Sequence, residues 1–185
     1  MATITRELFA IDKTKPNILV DFEDVVQPTL EKIAPYVTGG VITAYKSAVV
    51  QARKAKVGEV VITKPLLRID GELYTFAEVE RVITQEEVDA GAIIVINPDG
   101  DNYVIKNEEQ FAKQYDKCDG GFKPKYEVRK FVQINKSICF DKWGSKQFAP
   151  AGSYLRIDNP KSVTSVTNEA FNTTYKQVNL EQERE

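Results

Sequence analysis

Apolar positions along the chain recur mainly at every second residue or in short runs bounded by turn residues, a pattern that predicts strands more often than helices. Asn17-Ile18-Leu19-Val20 reads as a short strand. Asp21 to Asp24 then offer caps for a helix, Pro28 suits its first turn, and Leu30, Ile33 and Ala34 fall at helical spacing before Pro35 and Gly39-Gly40. Residues 41–56 point two ways. Tyr45, Ala48, Val49 and Ala52 follow an i, i+3, i+4, i+7 stripe that favours a helix ending near Gly58, whereas Val49-Val50 could open a strand. Beyond this the punctuation is clearer. Residues 59–63 and 72–76 predict two strands about a turn that contains Asp70-Gly71, and residues 78–83 a further strand or bent helix. Residues 92–96 and 102–105 predict strands about Asn97-Pro98-Asp99-Gly100, followed by a short helix that carries Phe111 and Tyr115. Asp119-Gly120-Gly121 reads as a linker. In the last third, residues 131–134, 138–140, 153–157 and 162–167 predict strands, and Asn168 caps a short helix with Phe171 and Tyr175.

Two of these stretches superpose. Ala90 to Ile96 matches Ala151 to Ile157, a proline follows each at Pro98 and Pro160, and Val104 aligns with Val163 or Val166. Asn107 and Asn168 stand as helix caps, and Phe111 and Tyr115 match Phe171 and Tyr175 at the same four-residue step. Gly91, Phe111, Tyr115, Gly152, Phe171 and Tyr175 are therefore the expected repeat core: a hairpin buries one face, and a helix lays a Phe and a Tyr across it. A weaker third copy starts at Val57-Gly58-Glu59 but lacks the Phe and Tyr helix. The expected organisation is an N-terminal helix-containing α/β portion (1–56), a first β-rich module (57–118), a second (122–178) and a charged tail (179–185). The fold class is α+β, mainly β, with duplicated strand–turn–strand–short-helix modules.

Composition narrows the chemistry. The chain has no histidine, which removes Ser-His-Asp and Cys-His catalysis and the usual zinc sites. Cys118 and Cys139 form no CxxC pair and suggest no disulfide scaffold. No apolar run approaches the length of a membrane span, and residues 1–15 do not read as a secretory signal, so no membrane partner is expected. The net charge of −2 is unevenly spread: residues 61–118 hold 6 basic and 12 acidic side chains, and residues 119–185 hold 11 and 8. The acidic middle would repel phosphates, which argues against nucleic acid as a partner.

The final segment resembles a family of small uncharacterised proteins common in tailed-phage and prophage genomes. Tyr126-Glu127-Val128-Arg129-Lys130-Phe131-Val132-Gln133 looks like its basic opening strand, Ala151-Gly152-Ser153-Tyr154-Leu155 its central strand, and residues 169–175 its Phe-x-x-x-Tyr ending. The likeness covers roughly 110 residues, with Ala90 to Tyr115 repeating its latter two parts. Ser153 and Ala92 depart from it, because an acidic residue often follows the glycine. The resemblance implies a phage context and no established enzymatic residues.

Candidate chemistry is sparse. Asp21, Glu23 and Asp24 could ligate a hard cation but suit a solvated helix start. Asp99 and Asp101 look like half of a calcium loop but suit a hairpin turn. Arg53, Lys54 and Lys56 could touch phosphates but suit a wet helix face. Trp143, with Phe140, Phe148 and Tyr154, is a candidate interaction surface as well as a candidate for packing. The expectation is a non-enzymatic phage-type protein with no metal or cofactor. It would be a virion decoration, connector or head–tail component acting through homo- or hetero-oligomeric contacts with other phage proteins, in the virion or host cytoplasm. The alternative is an early phage protein that inhibits a host defence factor or sequesters a nucleotide, which would need a pocket beside Trp143 and the C-terminal basic residues.

Overall fold

The structure is a computed structural model that describes residues 3–10, 14, 16–63, 66–69, 72–77, 79–98, 101–142 and 145–178. The protein is an α+β fold dominated by strands. Two N-terminal strands, β1 (Thr3–Ala10) and β2 (Ile18–Val25), pair antiparallel. The expected helix caps at Asp21 to Asp24 lie inside β2. Phe22 and Val25 of this strand turn into the core, while Thr5 Oγ1 donates to Asp21 and Thr3 Oγ1 to Glu23 across the pair. The helix starts later, as α1 (Leu30–Ile33), where the Thr29 side chain accepts from the Lys32 amide.

Residues 41–56 contain no helix and supply most of β3 (Val37–Lys46) and all of β4 (Gln51–Lys54). The helical stripe fails because Tyr45 lies on β3, Ala48 and Val49 in the connection that follows, and Ala52 on β4 in a different sheet. Val41, Ile42 and Thr43 are β-branched and suit a pleated surface. Strands β5 (Val60–Thr63), β6 (Leu66–Ile69), β7 (Glu72–Ala77) and β8 (Val79–Val82) follow as nested antiparallel pairs, β5 with β8 and β6 with β7. The suggested third repeat copy at Val57 is the base of this hairpin. Asp70 and Gly71 lie outside the described residues. Helix α2 (Gln85–Asp89) is new relative to the expectation, although Thr84 and Glu87 form a complete capping box that the pattern Thr-x-x-Glu announces.

The two repeats then appear. Strands β9 (Ile93–Ile96) and β10 (Asn102–Ile105), helix α3 (Glu108–Gln114) and β11 (Tyr115–Cys118) make the first. The expected linker at 119–121 is a hairpin turn into β12 (Gly121–Pro124), which pairs with β11. Strand β13 (Arg129–Ile134), the hairpin β14 (Ile138–Lys142) and β15 (Ser145–Ala149), strands β16 (Tyr154–Arg156) and β17 (Thr164–Val166), helix α4 (Asn168–Thr174) and β18 (Tyr175–Gln177) make the second.

Register shows that the repeat is larger than the sequence match. The second sheet has the order β17-β16-β13-β3-β18. The first has β10-β9-β4, continued through a bridge between Val50 and Phe122 to β12 and then β11. All of these pairs are antiparallel, so the sheets are equivalent strand by strand. Tyr115 lies opposite Pro124 as Tyr175 lies opposite Lys46, which makes β12 the counterpart of β3. The bonds that follow agree: Lys125 N donates to Gln114 O at 2.8 Å, and Ser47 N to Thr174 O at 2.8 Å. In chain order each unit is therefore β3–β4–β9–β10–α3–β11 and β12–β13–β16–β17–α4–β18, with a hairpin inserted after β4 and after β13. The first strand of each unit completes the other unit's sheet, so the two halves exchange strands.

This register adjusts the residue matching. Val104 pairs with Ile94 as Ser165 pairs with Leu155, so its counterpart is Ser165 and not a valine. The cap of α4 is Thr167, whose side chain accepts from the Ala170 amide as Asn107 accepts from Gln110. Asn168 instead donates to the Gly152 carbonyl. Gly91 and Gly152 occupy matching left-handed positions (φ +86° and +92°), where the backbone turns into β9 and β16. The Phe of each helix stacks on the Tyr that caps it and opens the next strand, Phe111 on Tyr115 at 5.1 Å and Phe171 on Tyr175 at 5.3 Å.

Candidate functional site

A cleft of about 910 Å³ lies where the two repeats meet. The matched tyrosines Tyr115 and Tyr175 both line it, as do Lys46 and Pro124, the matched ends of the exchanged strands. The second repeat adds Arg129, Arg156 and the β17–α4 corner, and the inserted hairpin adds Lys142 and Gln147. Among the described lining residues seven are basic and two acidic, although the protein as a whole is slightly acidic. The acidic pair is Asp101 and Glu127. Carboxylates outside the lining engage some of the cations: Glu87 holds Arg81, Asp158 holds Arg156, and Glu109 and Asp116 stand 3.8 Å from Lys113 and Lys125. The last two pairs are exposed and contribute little.

Within the cleft Lys46 reaches from β3 to the other repeat. Its Nζ donates to the Tyr115 hydroxyl at 2.8 Å and lies 5.2 Å from the Tyr103 ring and 5.3 Å from the Tyr115 ring. The Tyr103 and Tyr115 hydroxyls hydrogen-bond to each other. Burial pushes both phenols above the ordinary tyrosine value, and Tyr175 likewise. From the inserted hairpin, the Lys142 ammonium donates to the Val163 carbonyl and the Thr164 hydroxyl, each at 2.8 Å. Burial, then the neighbouring Arg156, lowers its pKa.

Trp143 lies outside the described residues. Phe140, Phe148 and Tyr154 belong to the core: they are 1%, 3% and 7% exposed, with Phe148 edge-on to Phe22 and Tyr154 stacked on Phe171. Phe140 and Phe148 also reach the cleft wall. The candidate acidic ligands Asp21, Glu23 and Asp24 are spread along β2. Glu23 is held by Lys136 at 3.0 Å and by Thr3, which keeps its pKa below the usual carboxylate range. Asp99 lies outside the described residues, and Asp101 stands in the cleft. Arg53 is committed to Glu59 at 2.5 Å. No group of three or more Cys, Asp or Glu side chains that could hold a metal is present among the described residues. Among them, too, no helix is long and apolar enough to cross a membrane. Neither Cys118 nor Cys139 is in a disulfide.

The cleft cations come from seven separate chain positions, 46 to 156, so no local motif announces them. The excess of basic side chains beyond residue 119 was the only sequence signal. Comparison of the chain with protein-family models, curated proteins and solved structures finds no match.

Proposed function

We propose that this is a non-enzymatic, phage-type binding protein that captures a small anion of nucleotide size in the cleft between its repeats. The observation that carries this reading is a cleft of about 910 Å³ whose described lining holds seven basic and two acidic side chains. That volume lies within the range of small-molecule sites, roughly 300–1,000 Å³. Its cations stand beside low-dielectric aromatic walls, which strengthens their pull on an anion. Sequestration needs no proton shuttle or activated nucleophile, which accords with a histidine-free chain. The phage context rests on the resemblance of residues 126–133, 151–155 and 169–175.

Calorimetry of the intact protein against nucleoside mono-, di- and triphosphates and unphosphorylated nucleosides tests the reading. Binding is expected for phosphorylated members, weakening as salt rises, with little for nucleosides. No binding by any phosphorylated member would overturn it.

One observation favours a second reading, a virion component that works through subunit contacts. Val57, Val60 and Val82 are 53%, 54% and 58% exposed, and Val60 and Val82 are cross-strand partners in the β5–β8 pair. Purified virions that lack the protein by mass spectrometry would remove this alternative.

A further inference from the structure

The strand-by-strand equivalence of the two repeats singles out positions where one half departs from the other. On the sheet face covered by the Phe and Tyr helix, the first repeat carries Val50, Val95 and Tyr103. The register places Arg129, Arg156 and Thr164 at the matching positions of the second. The neighbours on that face remain apolar: Ile93, Ile105 and Phe111 in the first, Tyr154, Val166 and Phe171 in the second.

The consequences differ sharply. Val50 and Val95 are fully buried, and Tyr103 closes over them with its hydroxyl on Tyr115. In the second repeat a threonine replaces the large ring and two guanidinium groups replace the two valines. Their side chains are 29% and 39% exposed, and all three residues line the cleft. A core position that becomes an arginine normally costs stability unless the charge is paired or hydrated. Here both arginines have carboxylate partners, Glu127 for Arg129 and Asp158 for Arg156, the latter through Nε at 2.9 Å. Glu127 is 62% exposed, so its pair is screened and readily exchanged. Lys142 adds a third cation beside Thr164.

We propose that Arg129, Arg156 and Lys142 form a phosphate subsite on the second repeat's wall of the cleft, with the Thr164 hydroxyl beside it. A phosphate would take the Arg129 fork in place of Glu127. Asp158, bonded to Nε of Arg156, would orient that guanidinium so that its Nη donors face the ligand, a geometry suited to bidentate binding. The proposal rests on the anion-binding reading of the cleft and assigns the residues that hold the phosphate.

Inorganic pyrophosphate is the probe, titrated calorimetrically into the intact protein. The variant R129V/R156V installs the residues that the first repeat already packs at these positions. Thr164→Tyr keeps both arginines and fills the space with the first repeat's ring. Lys130→Ala with Lys161→Ala removes two positive charges outside the cleft lining. Charge-assisted hydrogen bonds of this kind predict a loss of about tenfold or more per arginine. R129V/R156V is therefore expected to bind pyrophosphate at least about a hundredfold more weakly. Thr164→Tyr is expected to bind more weakly too, and the lysine double variant like the unsubstituted protein. Should R129V/R156V lose its near-ultraviolet dichroism, Arg156→Lys and Thr164→Tyr decide the question. Pyrophosphate affinity unchanged in folded R129V/R156V, or no pyrophosphate binding by the unsubstituted protein, would overturn the subsite. Nucleotide binding indifferent to these changes would sink the subsite and leave the cleft reading standing. Arginine-dependent pyrophosphate binding without nucleotide binding would do the reverse.

Discussion

Replacing Gly121 by alanine tests the strand exchange through a single atom. Gly121 opens β12, the strand that leaves its own repeat to complete the first sheet. A Cβ there would stand 2.4 Å from the Val50 carbonyl oxygen, a distance that real Cβ atoms essentially never show. The backbone at φ +149° is also one that L residues rarely adopt, at a cost of order 1–3 kcal/mol. Relief requires β12 to move away from Val50. That strains the reciprocal bonds Phe122 N to Val50 O (2.9 Å) and Val50 N to Phe122 O (2.8 Å), each worth about 1 kcal/mol net. The expected destabilisation is about 3–5 kcal/mol. Gly120→Ala is the internal control. Its φ is +83°, but nothing lies within 4 Å of the added atom, so only the conformational cost of about 1–2 kcal/mol applies. Denaturant unfolding of both variants should separate them by about 1–4 kcal/mol. Equal destabilisation would mean that β12 does not lie against Val50, and the exchange would fail with it.

The Phe and Tyr clusters predict a similar asymmetry: Phe171 is 2% exposed among Phe131, Tyr154 and Tyr175, so Phe171→Ala should cost about 3–5 kcal/mol by denaturant unfolding. Phe111→Ala should cost less, because Phe111 is only partly buried. Burial holds the Tyr103, Tyr115 and Tyr175 phenols above the ordinary value of about 10, so the unfolded chain releases their protons first. Stability from these groups is complete below about pH 10 and falls as pH rises further. Phenolate absorbance should accordingly show a late-titrating class of tyrosines that shifts to the ordinary value in denaturant.

Local chemistry in the sequence announced much of the second half of this fold. The Gly91 and Gly152 turns and the Phe111–Tyr115 and Phe171–Tyr175 steps are short-range signals, and each reports the packing found. The cap of α4 was displaced by one residue because Thr167 and Asn168 are both competent caps, and only the i+3 amide of Ala170 decides between them. Strands β3 and β4 were illegible for a different reason. Tyr45, Ala48, Val49 and Ala52 mimic a helical stripe, yet the chain turns at 47–49 and sends its two ends to different sheets. The partners that hold β3 extended, β13 and β18, lie about a hundred residues away, beyond any window of periodicity. The cleft was hidden likewise. Val50 with Arg129, Val95 with Arg156 and Tyr103 with Thr164 become comparable only once register defines the repeat.

The exchange itself is open to direct observation by nuclear magnetic resonance on this 20.8 kDa chain. Val50 and Phe122 exchange both backbone hydrogen bonds, so their amide protons face each other and should give a direct cross-relaxation peak. Contacts from β3 to β13, such as Thr43 with Lys130, should appear in the same sample. Both sets together are the predicted result. Contacts of β12 with β13 and of β3 with β4, with no Val50–Phe122 peak, would contradict the account.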